Sequence, residues 1–182
     1  MTDTPDRPPD HPLAILTPAP PDYRWVVLHT RPRCEKKLVS HARLRPSRTW
    51  LPTTRRAHNY GKRVREYDVP LINGYVFACI QNEDLSWFRN NPYVANLLEV
   101  SNEPEFLAPL RAMADALSQG LEMEILPYLK PGKTIVIIGG PMKGLEAVIA
   151  EIKGKNKVIL QLELIQQSVA LEIDTAWIKS AD

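Results

Sequence analysis

The chain has 182 residues, 44% of them hydrophobic, and a formal net charge of +2 at pH 7. That length fits one domain or two small ones, and that apolar content supplies real cores rather than a disordered chain. No apolar run approaches the roughly 18 to 20 residues that span a bilayer, and Met1–Pro21 lacks the basic start and apolar stretch of a secretory signal, so a cytoplasmic protein with no membrane contact is expected.

Residues 1–22 hold seven of the seventeen prolines without hydrophobic periodicity, which predicts a disordered or extended arm. Tyr23–Thr30 is a β-branched and aromatic run and reads as a strand. Arg31-Pro32-Arg33 ends it, and Pro32 suits the first turn of a helix reaching Arg45. On that helix Leu38, Ala42 and Cys34 recur on one face, while Lys37, His41 and Arg45 form a second stripe at four-residue spacing. A positive stripe repels itself slightly, so a compensating anion outside the helix is expected. Thr49–Pro52 reads as a short strand that Pro52 confines to an edge or an end. Thr53–Arg65 is polar and basic and reads as a hairpin or loop. Val69–Ile80 is the strongest strand signal, with a turn or bulge at Asn73-Gly74. Asp84 is placed to cap a short helix through Asn90, Val94–Val100 reads as a strand, and Leu107–Leu117 as a helix with one apolar face. The order β-α-β-β-α-β-α predicts a sheet with helices on one side.

Ser118–Lys130 reads as a connector. After Pro131-Gly132 come five short candidate strands, Thr134–Ile138, Leu145–Ile152, Lys157–Leu164, Val169–Ile173 and Ala176–Ile178, with glycines at the turns; these predict a small barrel with a thin core. Its many β-branched residues favour strands over helix, and Gly139-Gly140-Pro141 and Gly144 would interrupt any long helix.

The small net charge hides a polarised distribution. Arg24–Arg65 carries thirteen Lys/Arg and one acid, Glu35, whereas residues from Glu66 onward carry nine basic and sixteen acidic side chains. Such a block suggests a polyanion nearby; a merely solvated face is the competing reading. Catalysis finds no support. Cys34 and Cys79 lie far apart without metal-ligand spacing and read as free thiols, and His29, His41 and His58 lack a Glu or Cys partner at metal spacing. Gly139-Gly140 lacks the Lys-Ser/Thr that would complete a phosphate loop. No metal, cofactor or enzyme activity is expected.

The order of motifs resembles the NusG family of transcription elongation and antitermination factors, and within it the specialised RfaH/UpxY-like paralogues. In the first part the resemblance rests on Arg24-Trp25-Val26-Val27, Glu35-Lys36-Lys37, Leu51-Pro52, Pro70-Leu71-Ile72-Asn73-Gly74-Tyr75-Val76-Phe77, Ser86-Trp87 and Pro92-Tyr93-Val94. In the second it rests on Pro131-Gly132, Val136 and Gly140-Pro141-Met142-Lys143-Gly144-Leu145-Glu146, similar to a KOW motif. Ile72-Asn73 departs from the family's usual Phe-Pro, as does Arg45-Pro46-Ser47-Arg48 from its usual helix end. The implied fold is α+β: an NGN α/β sandwich with a mostly antiparallel sheet over 23–118, a linker over 119–130, and a KOW, SH3-like β-barrel over 131–182, preceded by the arm of residues 1–22.

The resemblance also implies partners. The NGN domain would bind RNA polymerase, with Trp50, Leu71, Ile72, Tyr75 and Phe77 as candidate contacts to the β′ clamp helices. Strand alternation is expected to place one of Tyr75 and Phe77 in the core, with Tyr75 and Ile72 exposed. Asp84, Ser86 and Trp87 match a motif that meets the β-subunit jaw, against a plain cap and a core tryptophan. Arg31, Arg33, Lys36, Lys37 and His41 lie where specialised paralogues meet the non-template DNA strand, with Arg55, Arg56 and Arg63 in support. In the barrel, Ile165, Gln166 and Gln167 would contact a small-subunit ribosomal protein or Rho if Ile165 is exposed; a buried Ile165 would be barrel core. The expected protein is a monomer that modulates pausing or termination on specific operons. The alternative is a KOW-containing RNA-binding protein of the ribosome.

Overall fold

The computed structural model describes residues 12–60, 63–127, 133–152, 155–172 and 175–180. By packing, the chain divides into two units, with Ala19–Ser101 forming the body of one and Asp10–Pro18 joining Asn102–Asp182 in the other.

The first unit is built on a four-stranded antiparallel sheet of β1 (Tyr23–Thr30), β2 (Ser47–Trp50), β5 (Tyr75–Gln81) and β6 (Val94–Glu99), in the order β2-β5-β1-β6. The central strands lie where the apolar runs predict them. Val26, Leu28, Val76, Ala78 and Ile80 line one face and pack with Leu38 and Ala42 of α2 (Glu35–Ala42) and Phe88 of α3 (Leu85–Arg89). The opposite row, Trp25, Val27, Phe77 and Cys79, is buried as well. Burial on both faces explains why β5 reads as a continuous apolar run rather than an alternation.

Several expected boundaries move. Helix α2 begins at Glu35, not at Pro32, because Arg33 turns left-handed (φ 60°) and Cys34 N–H closes a turn on Arg31 O. β3 (Thr53–Tyr60) and β4 (Arg63–Pro70) pair as a two-stranded antiparallel hairpin, with β4 joined to β5 by the turn Leu71–Gly74. Asp84 sits at the cap position of α3 but makes no side-chain cap bond. Part of the expected arm is ordered: Pro12–Ile15 is one helical turn, α1, and Leu16 is fully buried, since a proline at the first turn and a large apolar residue overcome the local proline content. Residues 1–11 lie outside the described residues.

In the second unit α4 (Glu103–Ser118) starts earlier than its apolar periodicity suggests, because Asn102 caps it by accepting from Glu105 N–H. Leu107, Leu110, Met113 and Ala114 form its buried face, and it packs on α1, on β10 and on the turn Gly140–Met142. The barrel sheet has six strands, not five. To β8 (Lys133–Ile137), β9 (Glu146–Ile152), β10 (Lys155–Leu162), β11 (Gln167–Leu171) and β12 (Ile178–Ser180) it adds β7, Met123–Pro127. The segment expected as linker therefore contains a strand. Its register on β11 runs from Gln167↔Pro127 to Leu171↔Met123, Leu126 packs on Val148, Ile159 and Ala170, and Glu124 pairs with Lys157 at 3.0 Å.

Candidate functional site

The apolar candidates separate by burial. Trp50 and Phe77 are cross-strand partners with rings 5.6 Å apart, and both are core. Ile72, expected at the surface, is 0% exposed. The turn that carries it is pinned by Leu71 N–H to Pro52 O and by Thr30 N–H to Gly74 O, 2.8 Å each. Tyr75 is half-buried and stacks on His29, its cross-strand partner, at 4.9 Å. Alternation does not separate Tyr75 from Phe77, because residues two apart share a face; position along the strand does. Leu71 and Tyr75 are the candidates in this group that keep solvent-facing surface.

Glu35, the lone acid of the basic block, is nearly buried, and its Oε1 accepts a 2.8 Å bond from Gly74 N–H. This ties the start of α2 to the turn before β5. Residues i and i+4 of a helix stack on one flank, so α2 carries two polar flanks rather than one stripe. On the first, Lys37 is exposed and His41 half-buried. Tyr93 N–H donates to Asn91 Oδ1 at 3.1 Å, so the Asn91 amide nitrogen faces His41 and donates to its Nδ1 at 2.8 Å. In the neutral ring the proton then sits on Nε2, a fixed donor. Trp87 stacks on the same ring at 5.1 Å, and Tyr93 meets it edge-on. Nothing in the helical periodicity points to Asn91 or Tyr93; they reach His41 from the far end of α3.

On the second flank Lys36 donates to Asp68 O at 2.6 Å, toward β4. Arg31 and Arg33 are exposed in the turn before α2. Arg55 and Arg56 are exposed on β3, and Arg63 opens β4, its side chain outside the described residues. The expected track is thus divided: Arg33, Lys36 and Arg56 line one cleft, while Lys37 and His41 lie on the other flank.

Of the second motif, Asp84 is 5% exposed and pairs with Arg45 at 3.4 Å. Its carboxylate is therefore committed inside the unit. Ser86 is exposed, and Trp87 is half-buried beside the core with the Arg45 guanidinium 5.4 Å from its ring centre. In the barrel, Ile165 is 7% exposed and is core. Gln166, left-handed at φ 52°, is exposed, Gln167 is half-buried in β11, and the outward apolar residue of this turn is Leu164. Among the described residues no cluster of His, Cys, Asp or Glu is placed to hold a metal ion, and no helix is long and apolar enough to cross a membrane.

A four-stranded antiparallel sheet packed by helices, followed by a small barrel with a Gly-Pro-x-x-Gly turn between β8 and β9, defines the class: a two-part NGN and KOW protein. The family model described as transcription termination factor nusG matches residues 23–112, and the KOW motif model matches residues 131–161. The chain is 26% identical over 165 residues to the transcription termination/antitermination protein NusG of Lactococcus lactis subsp. lactis (strain IL1403), across 82% of this chain and 89% of that one. A solved structure of Thermotoga maritima NusG aligns with 88% of this chain and 98% of its own at 20% identity and a TM-score of 0.48. The chain belongs to the NusG family of transcription termination/antitermination factors. Members of that family are transcription factors rather than enzymes.

Proposed function

We propose that this chain binds RNA polymerase through its NGN domain, residues 23–118, and that the Lys37–His41 flank of α2 then meets the non-template DNA strand of the transcription bubble. Leu71 and Tyr75 would meet the β′ clamp helices, supported from beneath by Trp50, Ile72 and Phe77. Ser86 would face the β-subunit jaw, with Asp84 and Trp87 shaping the segment from inside. The turn with Leu164, Gln166 and Gln167 would take a small-subunit ribosomal protein or Rho. The protein would act as a cytoplasmic monomer on a specific set of operons, as RfaH/UpxY-like paralogues do. One observation carries the nucleic-acid part. The His41 ring is oriented by Asn91 and Trp87 so that Nε2–H is its donor, with Lys37 exposed on the same flank. A directed donor beside a phosphate-binding cation suits base-edge and backbone contacts on a single strand.

Capture of partners from lysate by the full chain tests the reading: polymerase subunits are expected, whereas ribosomal RNA alone would favour a ribosomal KOW protein. The variant Lys37→Glu with His41→Ala is expected to keep polymerase affinity within about twofold. Its affinity for elongation complexes with an exposed non-template strand should fall about tenfold. Equal affinity of variant and native chain for those complexes would sink the placement.

A further inference from the structure

The barrel sheet has two apolar faces where a small barrel needs one. Directly paired residues share a face, and the faces alternate along each strand. Ile135, Ala147, Val158, Leu160, Val169 and Leu171 fall on one face by register and are buried as the barrel interior. Thr134, Val148, Ile159 and Ala170 fall on the other, as one row across β8, β9, β10 and β11. The outer side of a small barrel ordinarily faces water, yet Val148 is 8% exposed and Ile159 and Ala170 are 1% exposed. Leu126 and Ala150 pack against them. A cover from outside the sheet is required, and α4 packs on β10.

Helix α4 depends on such packing. Pro109 in its interior removes one backbone hydrogen bond. Its buried positions, Leu107, Leu110, Ala112, Met113, Ala114 and Ala116, spread over more than one side. One support is the barrel; another is the N-terminal segment. Asp10–Pro18 groups with Asn102–Asp182 and not with β1, which follows it in the chain. There α1 packs on α4, and Leu16, just past α1, is 0% exposed. A single helical turn is not stable alone in water, so α1 exists through this packing, and a contact that forms only on docking can also release. Pro18, Pro20 and Pro21 follow it. A short, stiff tether keeps what it carries at high effective concentration. Residues 12–18 precede the stretch that the family model matches, 23–112, so the family pattern does not account for them.

We propose that Pro12–Leu16 is a latch that holds α4 over the outer face of the barrel, and that its release uncovers Val148, Ile159 and Ala170. Because α4 also packs on the turn Gly140–Met142, the same latch governs access to that turn. The device is independent of the polymerase and nucleic-acid contacts proposed above and does not need them.

The test uses the full chain carrying Ala170→Cys, a small change on the outer face, together with Cys34→Ser; the remaining thiol, Cys79, is 0% exposed. Labelling of the new thiol by a maleimide reads the uncovering of that face. With the native arm, labelling should be slow. Leu16→Asp puts a charge into an apolar site and should accelerate it about tenfold or more. Leu16→Ala should accelerate it about threefold, and Leu16→Met less than about twofold. The barrel's dispersed NMR signals should persist throughout, because the latch lies outside the barrel interior. A native rate in both Leu16→Asp and Leu16→Ala would overturn the proposal. So would labelling at the rate of the unfolded chain while the arm is unaltered. If Leu16→Asp unfolds the barrel, Leu16→Ala decides. Faster labelling of a folded barrel then supports the latch; a native rate, or loss of the barrel's signals, makes the arm a piece of the barrel's fold and overturns it.

Discussion

The turn Leu71–Gly74 of the first unit and the turn Gly139–Met142 of the second both depend on glycine, and for different reasons. Gly74 is left-handed at φ 81°, and a methyl group there would meet only the His29 ring at 3.6 Å, an ordinary contact. Its neighbours hold the turn instead: Glu35 from α2 and Thr30 from β1 both bond its backbone. In the barrel the Trp177 ring occupies the space itself. A Cβ on Gly139 would lie 2.6 Å from that ring and one on Gly140, at φ 69°, 2.2 Å from it. One glycine is required by backbone conformation, the other pair by a side chain more than thirty residues away. The first turn can relax locally, whereas the second cannot change without moving a half-buried aromatic of the barrel.

The largest effect should therefore come from Gly140→Ala. Overpacking against an aromatic ring and a left-handed alanine together predict a loss of about 3–4 kcal/mol, read as loss of the barrel's dispersed NMR signals while those of the first unit persist. A folded barrel with unchanged thermal stability would remove the distinction between the turns. Next comes Ile72→Ala. A fully buried side chain truncated to alanine at a turn should cost about 2–3 kcal/mol, the lower part of the range for such truncations, measured by denaturant unfolding, whereas Leu71→Ala beside it should cost distinctly less. Equal costs would mean that Ile72 is a surface contact after all. The smallest effect is expected for Gly74→Ala, about 1 kcal/mol, from the left-handed backbone alone. A cost as large as that of Gly140→Ala would show that the Glu35 bond admits no adjustment, and the contrast between a conformational and a steric glycine would fail.

The central strands β1 and β5, the apolar face of α4 and the barrel strands were legible from periodicity, because burial of one face or of both leaves its pattern in the chain. Residues 12–16 and 123–127 were not. Pro12–Ile15 becomes helical and Leu16 buried within the second unit, and Met123–Pro127 becomes a strand because the edge of β11 is there to pair with. A short segment without its own periodicity takes its structure from the neighbour it meets. Among the candidate residues, the basic composition of α2 and the hairpin was plain, but its division was not. Lys36 and Lys37 are adjacent in sequence and face opposite flanks, and Arg55 and Arg56 are adjacent and face opposite sides of a ribbon.

By itself the sequence determined the two-part α+β organisation, the family, and the concentration of positive charge between Arg24 and Arg65, since composition, period and motif spacing are properties of the chain alone. The tertiary structure decided which residues of the apolar signature are core, burying Ile72 and Phe77 and leaving Leu71 and Tyr75 partly open. It also decided that His41 is oriented by Asn91, and that Ile165 belongs to the barrel core while Leu164 faces outward. Each of these depends on contacts between residues far apart in the chain, and a local pattern carries no record of the partner that arrives from elsewhere.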